Sequence, residues 1–381
     1  MIGRREFLAL ASGAATAMTA SATASAAAAT PAPVSDWILI NSCGGFDLPV
    51  DLSPASPDDL ARGPGIDRQR LTDALASGMT AANQTIGYVL GNDEPFEQSI
   101  RDIGIWEAVF RNEPRLVKVR TTSDIERAKR QQALGIILGF QNAAMLGTQL
   151  DRVDTFAALG IRIIQLTYNN QNRLGGGALT PGNPGLTEFG HQVVDRLNSR
   201  RVIVDLSHSG AQLCLDAAQG SARPVAITHT GCRALTDHPR NTTDEALRLV
   251  ATKGGYVGLY FMPFLTAGRT ATADDLIAHL EHAIQVCGED HVGVGTDGGT
   301  SPIDREKARA ANIKQHAERV AAGVAAPGES GDVLNFIPAL TGPDQFRELA
   351  DLLARRGHRA ARIEKILGRN FLNFAREIWG A

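Results

Sequence analysis

The sequence predicts an α/β fold of the (β/α)8 barrel type, and three observations support this fold class. Short, β-rich apolar runs alternate with longer amphipathic segments after Pro31, and eight such runs can be counted. Polar residues stand at the C-terminal end of nearly every run along the whole chain. A barrel gathers these ends on one face, where barrel enzymes place their active sites. A doubly wound open sheet is the alternative, and the even spread of polar strand ends favours the barrel.

The predicted strands share apolar residues bounded by polar or small ones. They are Trp37–Ile40, Met79–Val89, Gly135–Phe140, Ile161–Leu166, Val202–Leu206, Val225–Thr228, Tyr256–Phe261 and Val292–Gly295. Amphipathic patterns predict helices at Ser123–Gln132, Thr187–Ser199, Asp274–Val286, Asp344–Arg356 and, closing the chain, Ala360–Trp379. The polar stretch Thr300–Gly331, rich in Ala and Gly, is predicted to form a loop or lid-like insertion after the eighth strand.

The composition of the 381-residue chain is that of an ordinary globular protein, with 43% hydrophobic and 21% charged residues. Its formal net charge of -3 predicts no attraction to nucleic acid or to anionic membranes. Aromatic residues make up 5% of the chain, which is too few for a platform that stacks bases. We therefore expect no nucleic-acid partner.

The four cysteines are far apart in the sequence and form no CxxC pair, so they do not indicate a structural zinc knuckle. An exported protein could pair them, but nothing in their spacing requires a disulfide. We expect free and mostly buried thiols, at least at Cys214 and Cys287.

The first 30 residues are predicted to be a twin-arginine (Tat) export signal, which leaves residues 31–381 as a single barrel domain. The segment Arg4–Leu8 carries the arginine pair, an apolar Ala-rich stretch follows to about Ala20, and small residues continue to Ala29. A membrane anchor is the alternative, but the apolar run is short for a span, and no later stretch approaches one. The pattern predicts the Tat machinery as a partner and a periplasmic or exported location.

Two histidines stand at equivalent places after neighbouring strands. Val202–Leu206 leads to Ser207 and His208, and the next run, Val225–Thr228, leads to His229. In a barrel, two imidazoles from consecutive strand ends would meet at one mouth and could share a metal ion. The alternative is two unrelated histidines, each packed or hydrogen bonded at its own strand end.

Other polar residues end the remaining strands. Asp297 follows the last strand and could orient or deprotonate a water or bind a substrate ammonium, unless it only caps the loop. Gln141 follows the third run as a neutral donor and acceptor. Tyr168 and Asn169 follow the fourth run and face the expected mouth. Arg240 could clamp a carboxylate, unless it is a solvated loop charge.

The sequence resembles the renal dipeptidase (membrane dipeptidase) family over nearly the whole mature chain. The stretches that carry the resemblance are, in order, GIILGFQN, IRIIQLTYNNQN, VDLSH, PVAITHTGCRAL, HPRNTTDEALRLVATKGGYVG, DHVGVGTD and IEKILGRNFLNFAREIWG. The family implies a (β/α)8 barrel in which a two-zinc site activates water to hydrolyse dipeptides. Its members often pair, which makes a homodimer an expectation here.

Four site residues carry over by motif from this resemblance. His208 and His229 match the zinc-ligand histidines of the fifth and sixth strands. Asp297 matches the acidic residue that handles proton transfer or the free amino group of the substrate. Arg240 matches the arginine that binds the substrate carboxylate.

Other positions depart from the family pattern. Gln141 stands where the family has its bridging glutamate, and Tyr168 stands where it has a substrate-binding histidine. The His-x-Asp pair of the first strand is also changed. In one alignment Cys43 replaces the histidine and Gly45 the aspartate, whereas in the other Asp47 is kept and Gly45 replaces the histidine.

These departures predict a site for one zinc rather than two, because a dinuclear site needs anionic ligands to offset four positive charges. We take His208, His229 and Asp47 as the candidate ligands, and Cys43 and Asp297 as further donors. Asp297 and Gln141 are then the candidate catalytic residues, and Tyr168, Arg240 and Asn169 the candidate substrate-binding residues. A metal-dependent dipeptidase or amidase is the predicted function. The alternatives are a non-peptidase enzyme that matures a peptide-derived metabolite such as a siderophore, or a silent small-molecule-binding barrel.

Overall fold

Parallel strands form the centre of the protein in the computed structural model, which describes residues 34–45, 67–91 and 94–380. The strands in this part of the chain are β1 (Ile40–Asn41), β2 (Ala81–Thr85), β3 (Leu116–Lys118), β4 (Leu134–Phe140), β5 (Ile161–Gln165), β6 (Ile203–Asp205), β7 (Ala226–Thr230), β8 (Tyr256–Leu259) and β9 (Val292–Val294). Eight of them follow one path of neighbours, β1-β2-β4-β5-β6-β7-β8-β9, and β3 pairs with β4 beside this path.

Backbone hydrogen bonds join the two ends of the path. Ser42 N donates to Val294 O at 3.0 Å, and Asp297 N donates to Cys43 O at 2.9 Å. The predicted (β/α)8 barrel is confirmed, and each of the eight predicted strands overlaps a strand of the path. Strand β3 is not among the predictions, because its three residues give too short an apolar signal.

Helices surround the barrel and connect its strands. In the described residues they are α1 (Arg68–Ala76), α2 (Pro95–Asn112), α3 (Thr122–Arg130), α4 (Arg152–Leu159), α5 (Glu188–Ser199), α6 (Ala211–Gly220), α7 (Asp244–Thr252), α8 (Ala273–Cys287), α9 (Arg305–Ala321), α10 (Gln345–Arg355), α11 (Ala360–Glu364) and α12 (Asn370–Trp379). The predicted limits of α3, α5, α8 and α10 lie within two residues of the observed ones. Local caps explain this agreement, since Thr187 Oγ1 accepts from Gly190 N and Thr272 forms a capping box with Asp275.

The prediction of a loop over Thr300–Gly331 is wrong in part, because this segment contains the 17-residue helix α9. Asp304 caps the helix by accepting from the backbone N–H groups of Glu306 and Lys307. Asn312 is the only buried residue of α9. Without an apolar face, the helix has no hydrophobic periodicity that sequence analysis could detect.

The predicted closing helix Ala360–Trp379 is also interrupted. The chain kinks at Gly368, within a π-helical turn over Lys365–Arg369 that separates α11 from α12. A Cβ atom at Gly368 would lie 2.1 Å from the carbonyl oxygen of Ile38, so the absence of a side chain lets the kink pack against the start of β1.

Two hydrophobic clusters fix the position of the open face. The larger one lies between the strands and the surrounding helices. The second joins residues of several strands, such as Ile163, Ile203 and Tyr256, to Phe371 and neighbouring residues of α12. The C-terminal helix therefore packs on the barrel core, and the carboxyl ends of the strands remain for polar residues.

All four cysteines are free and buried, as expected for Cys214 and Cys287. Within the described residues, no helix combines the length and the apolar character that crossing a membrane requires.

The close approach at Gly368 makes a stability prediction. Gly368→Ala should lower the free energy of unfolding by about 1–3 kcal/mol, because the new methyl group forces the backbone of α12 away from β1. Gly104→Ala is the matched control, since a Cβ at this position in α2 meets nothing within 4 Å. The control should gain roughly 0.5–1 kcal/mol from better helix propensity. Urea unfolding of both variants measures the difference, and equal stabilities would contradict the packing argument.

Candidate active site

The two histidines predicted to converge lie side by side at the carboxyl ends of β6 and β7. His229 is within β7, and His208 follows β6 by three residues in a turn. Their ring centroids are 4.9 Å apart, with an angle of 64° between the ring planes. His208 is 5% exposed and His229 is fully buried. Two neighbouring strands thus bring both imidazoles to one place.

Asp205, which the sequence analysis gave no role, holds these two strand ends together. Its Oδ1 accepts from the backbone N–H and the hydroxyl of Ser207 and from the backbone N–H of Thr228. Its Oδ2 accepts from the Thr228 hydroxyl at 2.6 Å. A carboxylate that ends an apolar strand directly before Ser-His was the available signal. One buried side chain therefore sets the register between the turn of His208 and the strand of His229.

The hydrogen bonds of His208 fix which of its nitrogens carries the proton. Its Nδ1 lies 2.7 Å from Asn169 Oδ1, and an amide oxygen only accepts, so Nδ1 donates and Nε2 keeps its lone pair. The ring also stacks on Tyr168, with centroids 4.2 Å apart. Burial, followed by the charge of Arg240, lowers the pKa of His208 well below its ordinary value. The ring is therefore neutral near pH 7.

His229 reaches the same state by another route. The hydroxyl hydrogen of Thr228 is donated to Asp205, so Thr228 Oγ1 accepts from His229 Nδ1 at 3.0 Å. Burial lowers the pKa of His229. The Nε2 atoms of His208 and His229 are both buried and have no hydrogen-bond partner among the described residues. A neutral imidazole with an oriented Nδ1–H and a free Nε2 is the usual form of a histidine that binds metal.

Three further groups meet beside His229. Ligand atoms of Cys43, His229 and Asp297 all lie within 4.8 Å of one another. The Cys43 thiol donates to Asp297 Oδ1 at 3.8 Å, and Gln141 Nε2 donates to Cys43 Sγ at 3.0 Å and to Asp297 Oδ1 at 3.4 Å. Burial, followed by the nearby charge of Asp297, raises the pKa of Cys43 well above its ordinary value. Without a cation the thiol is therefore neutral.

The donors present fit one zinc ion. Imidazole, thiolate and carboxylate are the ligand types that zinc takes in proteins, and the free buried Nε2 atoms need a partner. Gln141 turns N–H donors toward the cluster, so it adds no negative charge for a second ion. Asp47, one of the predicted ligands, lies outside the described residues.

Backbone strain coincides with this cluster. His208 has a φ of 60° and Asp297 a φ of 57°, which is the left-handed region that residues other than glycine rarely adopt. Such conformations cost of order 1–3 kcal/mol and persist where the surroundings enforce them. At His208 the enforcing contacts include the hydrogen bond to Asn169 and the stacking on Tyr168.

A cavity of ≈190 Å³ opens over the histidines. Its walls come from the barrel mouth and from the segment around α9. The lining residues that matter for chemistry are Tyr168, His208, Arg240, Asp297, His316 and Arg319. Helix α9 is thus one wall of the site, which could not be predicted because the segment has no apolar pattern.

Arg319 anchors this wall to the barrel. Its guanidinium pairs with both carboxylate oxygens of Glu329 at 2.8 Å and donates to the Tyr168 hydroxyl at 3.0 Å. Tyr168 in turn stacks on His208, and burial raises the pKa of its phenol. The predicted substrate-binding Tyr168 therefore links the α9 wall to a histidine of the barrel.

Arg240, the second predicted substrate-binding residue, lines the cavity and is 4% exposed. Its guanidinium carbon lies 5.8 Å from the centre of the Tyr260 ring. Among the described residues it makes no ion pair. Its charge is thus available to an anionic group that enters the cavity.

The prediction that Asn169 binds substrate needs correction. The side chain is fully buried, its Oδ1 binds His208, and its Nδ2 donates to the Val324 carbonyl at 2.7 Å. Both ends of the amide are engaged, so Asn169 orients His208 from behind the cavity. Its place at a strand end suggested the mouth, but a position in sequence does not show which way a side chain turns.

Comparisons with known proteins agree with this geometry. The family model of membrane dipeptidases (peptidase family M19) matches residues 66–306. An uncharacterised protein in the pqqA 5' region of Klebsiella pneumoniae is 28% identical over 270 residues, which are 68% of this chain and 88% of that protein. An uncharacterised dipeptidase of Schizosaccharomyces pombe is 33% identical over 171 residues, or 43% of this chain and 41% of its own length.

Solved structures show the same fold. An amidohydrolase from Pseudomonas aeruginosa superposes with a TM-score of 0.76 at 28% identity, covering 91% of this chain and 98% of that one. A metallopeptidase from Rhodobacter sphaeroides, liganded with a phosphinate mimic of L-Ala-D-Ala, superposes with a TM-score of 0.69 at 20% identity, covering 90% and 99%. The family match spans more than half of the chain and supports a dipeptidase-like hydrolase. This chain belongs to the membrane dipeptidase family.

Proposed function

We propose that this protein is a zinc-dependent hydrolase that cleaves dipeptides or small peptide-like amides with a single metal ion. One observation carries the proposal. Two neutral, buried imidazoles with free Nε2 atoms, His208 and His229, lie beside Asp297 and Arg240 at one cavity. Membership of the membrane dipeptidase family supports the reaction class.

The charges around the cavity suit a small zwitterion. Arg240 is buried and positive, and an uncompensated buried charge is costly unless an anion pairs with it. The carboxylate of a dipeptide would be that anion, held by the guanidinium fork. The volume of ≈190 Å³ is below the ~300–1,000 Å³ of sites for drug-sized ligands, which favours a small substrate.

The chain's own residues would divide the chemistry between them. When bound, zinc supplies Lewis-acid activation of water and stabilises developing negative charge. His208 and His229 would hold it in their neutral form. Asp297 faces the cavity and would take the proton of the attacking water or bind the substrate ammonium. The wall formed by α9 and Arg319 would limit the access of bulk water.

The number of ions follows from the charge of the ligands. Gln141 is neutral where a bridging carboxylate would be needed, and it donates hydrogen bonds toward the cluster. Two divalent ions would bring four positive charges against the carboxylate of Asp297 and the thiol of Cys43, both at the buried mouth. One ion leaves a balanced site.

We also propose that the protein is exported by the Tat system. The support is the Arg4-Arg5 pair followed by an apolar stretch and small residues, which lies outside the described residues. The homodimer expected from the family resemblance stays a prediction.

Metal analysis tests the ion count. Zinc-loaded protein freed of excess metal should hold about one ion per chain, and His208→Ala and His229→Ala should each lose most of it, because each removes an imidazole donor. His191→Ala is the matched control, since His191 is exposed on α5. Elemental analysis after gel filtration gives the ratio. Two tightly held ions, or full metal retention in both site variants, would contradict the proposal.

Substrate comparison tests the role of Arg240. Arg240→Gln should lower kcat/KM for a free dipeptide by roughly 30-fold or more, since losing a buried charge partner costs about 2–5 kcal/mol. A dipeptide amide, which lacks the carboxylate, should be affected far less. Arg233→Gln, which removes a half-exposed guanidinium paired with Asp237, should leave both substrates unchanged. No cleavage of any dipeptide by the zinc-loaded wild-type protein would refute the hydrolase assignment.

Cell fractionation tests the export route. Replacing Arg4 and Arg5 with lysine should leave the protein in the cytoplasm, because the twin-arginine pair is the address that the Tat machinery reads. The same lysine pair placed behind a Sec-type signal should still reach the periplasm. Unchanged export of the lysine variant would argue against the Tat route.

A further inference from the structure

Cys43 has surroundings that are unusual for a buried structural thiol. It is 1% exposed at the end of β1, where a structural cysteine would contact apolar neighbours. Its Sγ instead accepts from Gln141 Nε2 at 3.0 Å and donates to Asp297 Oδ1 at 3.8 Å. A ring nitrogen of His229 completes a group whose ligand atoms lie within 4.8 Å of one another.

The second observation concerns His229. The ring is fully buried, and its Nδ1 is committed to Thr228. Its Nε2 has no hydrogen-bond partner among the described residues. A buried acceptor without a partner, next to a thiol and a carboxylate, is the arrangement that a cation resolves.

We propose that Cys43, as a thiolate, holds the metal ion together with His229 and Asp297, so that the site contains one sulfur ligand. This inference rests on the proposed function for the presence of an ion, but it does not require hydrolysis. Binding forms a sulfur–metal bond and releases the thiol proton to solvent. The thiolate and the carboxylate then offset the two positive charges of one divalent ion.

Gln141 has a clear role in such a site. Its Nε2 donates to the sulfur and to Asp297, so it stabilises negative charge on both ligands. A carboxylate at this position would face the thiolate with a like charge. The replacements at positions 43 and 141 therefore act together, since the neutral amide suits an anionic sulfur.

His208 lies on the cavity side of this group. It contacts His229 with ring centroids 4.9 Å apart, but it is not among the residues whose ligand atoms all lie within 4.8 Å. A sulfur ligand also predicts selectivity, because thiolates favour zinc, cobalt and cadmium over magnesium and manganese. A site built from His208 and His229 with oxygen donors alone would discriminate less.

Cobalt titration tests the sulfur ligand directly. Reduced wild-type protein should develop a thiolate-to-cobalt charge-transfer band in the near ultraviolet that saturates at one equivalent. Cys43→Ser should lose the band, while the control Cys287→Ser should keep it, since Cys287 is buried in α8 and contacts Leu247. Excess magnesium should not displace the cobalt, whereas zinc should.

The wild-type titration decides the question even where Cys43→Ser fails to fold. Stoichiometric cobalt binding without a charge-transfer band would overturn the sulfur ligand, as would a band that persists in Cys43→Ser. A parallel dipeptide assay separates the two proposals. A band without hydrolysis overturns only the proposed function, and hydrolysis without a band overturns only this inference.

Discussion

The geometry of the site depends on one buried carboxylate. Asp205 accepts four hydrogen bonds from the ends of β6 and β7, and one of its donors, Thr228, receives the proton of His229 Nδ1. Leaving any of these buried donors unsatisfied costs about 1–3 kcal/mol, so the two strand ends are strongly held in register. The distance between His208 and His229 is therefore set by one side chain rather than by loop packing.

This anchoring makes the two imidazoles independent of their neighbours at β1 and β4. The residues at positions 43 and 141 can change chemistry without disturbing the register that Asp205 fixes. The resulting cluster combines a thiol, an amide and the carboxylate of Asp297, and its charge suits one divalent ion. Loss of the bridging charge and gain of a sulfur thus read as one coordinated change rather than as decay of the site.

The sequence predicted what local patterns encode. Apolar runs located the barrel strands, and polar residues after them located His208, His229, Asp297 and Arg240 at the mouth. Helix α9 escaped prediction because it buries only Asn312, so it has neither an apolar stripe nor a hydrophobic period. The wall that carries Arg319 could be recognised only from contacts with Tyr168 and Glu329 in the folded chain.

Long-range pairs were beyond sequence analysis for a related reason. Two alignments of the first strand were open, and the folded chain supports the one that brings Cys43 to the site, 254 positions before its partner Asp297. A Cβ at Gly45 would lie 2.3 Å from Gln84 Oε1, so this position has no room for the aspartate of a His-x-Asp pair unless Gln84 moves. The sulfur at position 43 is then the donor that β1 brings to the cluster, because the strand register leaves its neighbour no space for another.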